Sequence, residues 1–332
     1  MSTYIIAEVG NTHEGSLGLA KQFIKSAVNT GADCVKFQTH IYEAESLDDA
    51  PNPPYFKDES RKKYFERTAF TLEEHRQLKE YTNSLGCDFI SSPFSIEAVE
   101  LLEAIEVPFY KVPSGEVSNI PLLEVLGRTE KKVLLSSGMS SWEDLELAIN
   151  TLKGNGCPEI VLLQCTSKYP CPPEYSGLNM LTDMQERFSL TTGYSDHTSG
   201  SAISIAAVVK GAQYIEKHFT LSKSMYGSDA QFAAEPHEFA HLVRSIRDVD
   251  KALESKLSKM EVTQELDKMK VIFEKSVVAK RDIELGEKLA FEDFSFKKPG
   301  NGIPAKEYKS LIGKTATKKI ERNTRIKRED YE

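Results

Sequence analysis

The stretch YIIAEVGNTHEGSLGLAKQFIKSAVNTGADCVKFQTH (residues 4–40) decides the fold. It opens on a short β-rich apolar run at 4–10. A segment with apolar residues at helical spacing follows, SLGLAKQFIKSAVNTGA, and a second β-rich run closes it at 34–40. Strand, helix, strand is the unit of a parallel sheet. The same alternation continues, with runs at 88–94, 109–116, 132–139, 159–166, 190–197 and 214–221, and helical patterns such as SWEDLELAINTLKGNG between most of them. Eight strands in about 250 residues match the period and size of a (β/α)8 barrel, class α/β. A doubly wound open sheet is the rival, but eight units without a GxGxxG fingerprint favour the barrel.

Nearly every run ends in chemically capable residues: AEVGNTHEG, VKFQTH, SSPFS, YKVPSGE, LSSGM, CTSKYP, YSDHT, EKHFT. In a barrel these ends converge on one mouth, where reacting groups collect. The longest irregular segment, 41–71, follows the second run and contains PNPPYFKDESRKKYFER, a candidate substrate-shaping loop.

Composition narrows the function. The 332 residues are 40% hydrophobic and 28% charged, an ordinary globular balance. No window approaches the roughly 18 apolar residues of a membrane span, and the start lacks a signal-peptide pattern, so a cytoplasmic protein is expected. Five cysteines without a CxxC pair read as reduced thiols. The net charge of −8 argues against nucleic-acid binding. That charge is uneven: residues 274–332 carry fifteen Lys/Arg against eleven Asp/Glu, a balance of +4 that leaves −12 on residues 1–273. The polar, helix-forming stretch 255–273 reads as a connector, giving a barrel at 1–254, a linker at 255–273 and a small basic domain at 274–332. Strand candidates there are KSVVAK and KLAFEDF, and 59 residues offer little core.

His197 and His218 end consecutive runs, so both imidazoles can face one point. Two histidines with a carboxylate nearby suit Mn²⁺, Co²⁺, Fe²⁺ or Zn²⁺. Lys36, Lys111 and Lys217 sit inside apolar runs, where a lysine needs a partner or an anion. With Ser92, Ser114, Ser136 and Ser195 they form an array suited to phosphate or carboxylate. Each serine also reads as a helix N-cap, a role compatible with anion binding. Glu14, Asp196, Glu216 and Asp229 supply carboxylates: Asp196 could orient a ligand histidine, and Asp229 could touch substrate or form a turn. Cys165 reads as packing.

In order, AEVGNTHEGS, VKFQTH, ISSPFS, YKVPSGE, LSSGM, CTSKYPCP, GYSDHT, EKHFT and KKPGNGI resemble the sialic acid synthase family over nearly the whole chain. The resemblance implies a TIM barrel with a small C-terminal antifreeze-like (SAF, β-clip) domain. It implies condensation of phosphoenolpyruvate with an N-acylated mannose-type sugar, and a divalent ion, Mn²⁺ before Mg²⁺ or Co²⁺, on His197 and His218. Phosphoenolpyruvate would bind Lys36, Gln38, Ser92, Lys111, Ser114, Ser136, Ser167 and Ser195. Glu14, Glu216 and Asp229 would serve the chemistry, and Tyr169, Asp229 and Lys298 the sugar. A domain-swapped homodimer is also implied, the small domain of one chain covering the partner's barrel. Departures concern the sugar: Thr12 interrupts the first histidine motif, Ala230 and Ala233 replace polar residues, and Lys298 stands where sialate-type members have arginine. Competing readings are a metal-dependent barrel hydrolase and a catalytically inactive SAF-type binding protein.

Overall fold

The computed structural model describes residues 2–52, 56 and 58–332. Eight parallel strands run in chain order: β1 (Tyr4–Gly10), β2 (Cys34–Thr39), β3 (Asp88–Pro93), β4 (Phe109–Val112), β5 (Lys132–Ser136), β6 (Ile160–Cys165), β7 (Thr191–Asp196) and β8 (Tyr214–His218). They are hydrogen-bonded in the order β3-β2-β1-β8-β7-β6-β5-β4. The end strands β3 and β4 are also neighbours in space, which closes the sheet into a (β/α)8 barrel.

Strand alternation divides the apolar residues between two cores. Ile6, Cys34, Ile90, Phe109, Leu134, Val161 and Leu163 fill the barrel interior. Ile5, Ala7, Val35, Phe89, Leu135, Leu162 and Ile215 face outward against the helices. The helices show the matching period. In Leu17–Asn29 the buried residues are Ala20, Phe23, Ile24 and Ala27, one stripe, and the Ser16 hydroxyl accepts from Leu19 N to cap the first turn. At the opposite end of the fold, Pro236–Glu254 returns to the first strand, where buried Asp250 accepts from Thr3 N at 2.9 Å.

Several strands stop sooner than the apolar runs suggest. β4 ends at Val112, β5 at Ser136 and β8 at His218. The residues beyond leave the ladder to form the mouth loops, so their polarity belongs to the site and not to the sheet. Segment 41–71 is also less irregular than expected. It holds helices Tyr42–Glu45 and Arg61–Thr68, the second capped by Ser60, while residues 53–55 and 57 of the expected loop lie outside the described residues. Helix Arg61–Thr68 buries only Tyr64 and Thr68, too narrow a stripe to stand out among its charges.

Contacts divide the chain into one unit ending at Glu254 and another, Ser255–Glu332. The second has its own core, including Val277, Ile283, Leu289, Phe294, Leu311 and Ile326. Its β9 (Ser276–Ala279) matches the first strand expectation. Its antiparallel partner β10 (Phe294–Lys297) begins where the second was expected to end, because Asp293 turns the chain by accepting from Ala290 N. The stretch 255–273 carries two short helices, Lys259–Glu265 and Asp267–Phe273, with no buried residue in either. Among the described residues no helix is long and apolar enough to cross a membrane.

One close approach exposes how tightly the barrel is drawn. A Cβ on Gly193 in β7 would stand 2.3 Å from Leu163 Cδ2 and 2.7 Å from the Tyr214 carbonyl oxygen. Backbone on one side leaves little room to yield. Gly193→Ala is therefore expected to destabilise the barrel by about 1–3 kcal/mol, read as a lowered midpoint in thermal unfolding; an unchanged midpoint would show that β6 and β8 can part without cost.

Candidate active site at the barrel mouth

The inward-facing set that fills the barrel with apolar side chains turns polar at its last layer. Glu8, Lys36, Gln38, Ser92, Lys111, Ser136, Cys165, Ser195, Glu216 and His218 are successive inward positions at the strand ends, and all line one cavity of about 690 Å³. The ladder register already pairs several of them: Glu8 lies beside Lys36 and His218, Gln38 beside Ser92, and Ser195 beside Glu216. Mouth loops add Ser114, Ser167, Tyr169 and His197.

Charge at the floor is arranged as a buried quartet. Lys36 Nζ lies 2.6 Å from Glu8 Oε2 and 3.7 Å from Glu216 Oε2, and Lys111 Nζ lies 3.2 Å from Glu216 Oε1. Lys36 also donates to Ser92 Oγ at 3.1 Å, Ser195 to Glu216 Oε1 at 3.0 Å, and Gln38 Nε2 to Glu8 Oε1 at 2.8 Å. The two carboxyls differ in environment. Burial opposes the charge on Glu216, yet Lys111 and Lys36 hold its carboxyl down to about 2. Burial lifts Glu8 to about 7; Lys36 offsets part of this, and the charge of Glu216 adds to it. The two carboxyls are thus pushed in opposite directions, Glu8 towards its protonated form by burial and Glu216 towards its ionised form by the lysines. Ser136 Oγ lines the same cavity and is buried without a partner among the described residues, an unused donor. Ser114 is positioned by a close approach: Gly138 N donates to Ser114 Oγ at 3.2 Å, and a Cβ on Gly138 would collide with the hydroxyls of Ser114 and Ser167.

His197 and His218 stand at the rim with ring centres 5.6 Å apart. His197 Nδ1 donates to the Thr166 carbonyl at 2.8 Å, which fixes the tautomer and frees Nε2. His218 is held down to about 4 by burial, so its ring is a neutral base, and its Nδ1 is buried with no partner among the described residues. An orphaned imidazole nitrogen and a freed one, close together, fit a divalent transition ion. Among the described residues no three His, Cys, Asp or Glu side chains converge as a metal cluster, so the two histidines would hold the ion together with oxygen ligands from outside the chain. The Tyr169 ring packs 4.2 Å from that of His197.

Of the residues expected from sequence, the cavity gathers Lys36, Gln38, Ser92, Lys111, Ser114, Ser136, Ser167, Ser195, Glu216, Tyr169, His197 and His218. Asp229 lines an adjoining smaller cavity. Glu14 is not among the lining residues; its carboxylate pairs with Arg67 at 2.8 Å. Lys298 belongs to the second unit, its ammonium 5.0 Å from the Phe273 ring centre. Lys217 leaves the expected lysine array. It lies between Glu216 and His218, hence on the outer face of β8, where it pairs with Asp196 at 2.9 Å. Asp196 accordingly holds Lys217 and Thr198 instead of orienting a histidine. The serines are not caps: Ser95, Asn119 and Ser141 cap the helices that follow. Two residues were missed. Glu8 stands two positions before the glycine of AEVG, and its inward parity was the available signal. Cys165 meets a histidine from another strand, His197, with Sγ 3.8 Å from Nδ1.

Comparison with known proteins agrees with this arrangement. The NeuB family model matches residues 23–258, and the SAF domain model matches residues 274–332. The chain is 38% identical to an N,N'-diacetyllegionaminic acid synthase of Campylobacter jejuni, covering 98% of this chain and 99% of that one. It is 36% identical to the human N-acetylneuraminate-9-phosphate synthase, covering 98% and 92%. Among solved structures, the N-acetylneuraminic acid (sialic acid) synthetase of Leptospira borgpetersenii, in complex with citrate, superposes with a TM-score of 0.70 at 31% identity, covering 81% of this chain and 92% of that one. With its buried lysine–carboxylate quartet under a histidine pair, at the mouth of an eight-stranded barrel followed by a SAF domain, the chain belongs to the NeuB family of nonulosonic acid synthases.

Proposed function

We propose that the protein condenses phosphoenolpyruvate with an N-acylated mannose-type sugar, giving a nine-carbon 2-keto-3-deoxy acid and phosphate. The observation that carries this reading is the buried quartet with its serine ring, a cationic and hydroxyl-lined floor beneath a pair of free imidazole nitrogens. In the reaction, C3 of phosphoenolpyruvate bonds to the aldehyde carbon of the open-chain sugar, water adds at C2, and the C2–O bond to phosphate breaks. Lys36 and Lys111, with Ser92, Ser114, Ser136, Ser167 and Ser195, bind the phosphate and carboxylate and hold C3 in place, the entropic part of the rate gain. Gln38 holds Glu8 in register with them. Glu216, kept ionised by its lysines, faces the positive charge that develops at C2. Glu8, near neutrality in its proton affinity, serves the proton traffic of the added water. A divalent ion on His197 and His218, Mn²⁺ by preference, would supply Lewis-acid polarisation of the aldehyde oxygen.

For the assembly, we propose a cytoplasmic homodimer in which the C-terminal domain, 274–332, of one chain caps the partner's barrel and brings Lys298 to the sugar, with Tyr169 and Asp229 at the same end. Two observations support it. The basic domain complements the acidic remainder, and the stretch preceding it exposes Met260 at 70% and Phe273 at 57%, apolar surface suited to burial against another chain.

The primary test is phosphate release from phosphoenolpyruvate with Mn²⁺ across a panel of 2-acetamido sugars. His197→Ala and His218→Ala are each expected to abolish turnover and weaken Mn²⁺ binding while the far-ultraviolet circular dichroism stays native; normal turnover in either would remove that histidine from the site. With oxygen-18 at the bridging C2–O position, the label should leave in the phosphate, and its retention in the sugar product would mean P–O cleavage instead. Lys298→Ala should raise the sugar KM by an amount worth about 1–3 kcal/mol, and mixing it with His218→Ala chains should restore one intact site per heterodimer. Confirmed heterodimers without that recovery would place the cap in cis or away from the site.

A further inference from the structure

The helix Pro236–Glu254 opens with the sequence His237-Glu238-Phe239-Ala240-His241. Histidines four residues apart stand one turn above each other on the same helix face, with Cβ atoms about 5–6 Å apart. That spacing lets two imidazoles converge on one ion, to which each nitrogen bonds at about 2.0–2.1 Å. The fold puts both rings on the wall of one cavity of about 540 Å³, bounded by this helix and by residues following β7 and β8. Among the described residues, only Pro170 lines both this cavity and the main one, and the rim histidines His197 and His218 do not reach it.

Both histidines are exposed, so an ion can reach them without displacing packed side chains. His237 Nδ1 lies 3.8 Å from Glu235 Oε2, and His241 makes no hydrogen bond or ion pair among the described residues. The positive end of a helix opposes a cation, but Glu235 and Glu238 bring negative charge to the same turn. Lys223, the other cation on the cavity wall nearby, is already paired with Glu238 at 2.6 Å.

The five residues have the H-E-x-x-H spacing, in which the glutamate of a zinc hydrolase acts as base. Glu238 is not free for that role. Its Oε1 accepts from Lys223 Nζ at 2.6 Å and its Oε2 from Glu235 N at 2.9 Å, so it anchors the preceding loop and caps the helix. Nor does a third protein ligand converge with the pair among the described residues. Water would fill the remaining positions on the ion, and Thr198, Ser199, Ser201 and Gln231 line the cavity as hydrogen-bonding partners for it. Such a pair binds an ion without making it a hydrolytic centre.

We propose that His237 and His241 form a second metal site, separate from the rim pair, for a late first-row divalent ion such as Ni²⁺, Cu²⁺ or Zn²⁺. Two imidazoles without a bound carboxylate favour those ions over Mn²⁺.

The test is equilibrium dialysis of the full chain against Ni²⁺, counting metal bound per chain. The unaltered protein should hold one saturable equivalent more than His237→Ala/His241→Ala. Each single variant should lose that same equivalent, because the site is a two-nitrogen chelate. His197→Ala/His218→Ala should keep it, which separates the site from the rim whatever the rim binds. An excess of Mn²⁺ should leave it in place. With Cu²⁺ as the probe, His197→Ala/His218→Ala should show electron paramagnetic coupling to two nitrogens. Circular dichroism checks that each variant is folded. An unchanged count in the double variant, retention of the ion by either single variant, displacement by Mn²⁺, or its loss with the rim pair would overturn the inference. The count is independent of the condensation reading, which stands or falls on its own test.

Discussion

Two ammonium groups and two carboxylates share the water-poor floor of the barrel mouth, and the rest of the site is arranged around keeping them there. Lys36 and Lys111 arrive on β2 and β4, Glu8 and Glu216 on β1 and β8, and all four side chains are buried. Removing one partner would strand a buried charge at a cost of about 3–5 kcal/mol, whereas apolar residues in place of the whole set would be neutral or better for stability. A quartet of this kind is poor structural glue. Under the proposed function it serves instead as a preformed receptor, its lysines held in place by the carboxylates.

Strand parity is what builds that receptor. Along each strand, every second side chain enters the barrel, so the same positions that supply Ile6, Ile90 and Leu134 to the interior supply Glu8, Ser92 and Ser136 one step later. Parity also sorts residues that composition cannot. Lys36 and Lys217 both lie in apolar runs, but only Lys36 has inward parity; Lys217 ends on the outside, neutralised by Asp196. Serines sort the same way. The helix caps fall a few residues later, at Ser95 and Ser141, which leaves Ser92 and Ser136 to the cavity.

The histidine pair and the smaller cavity beside it give the charged floor a direction. His197 is oriented by a backbone carbonyl, His218 is kept neutral by burial, and that cavity opens next to them. The two cavities differ in character, the larger lined by lysines, serines and carboxylates and the smaller by aromatic rings with a few polar groups.

Much of this was legible along the chain. The eight strand–helix units, their polar ends, the lysines, serines and rim histidines all follow from local period and from residue chemistry, because a barrel delivers every strand end to one place whatever the details. What remained hidden depends on distances between segments far apart in sequence. Glu14 stood among the candidate carboxylates, and only packing shows that Arg67, some fifty residues on, pairs with it. Cys165 had no activating neighbour in its own run, yet His197 reaches it from the residue just after β7. The smaller cavity beside the main one is walled by His40, Arg61, Phe65, Phe94 and Asp229, which come from the three segments that follow β2, β3 and β8. Local sequence sets which groups a segment can present, since period and propensity act over a few residues. Which groups meet, and which are left without a partner, is settled by packing, since burial and hydrogen bonding act through space.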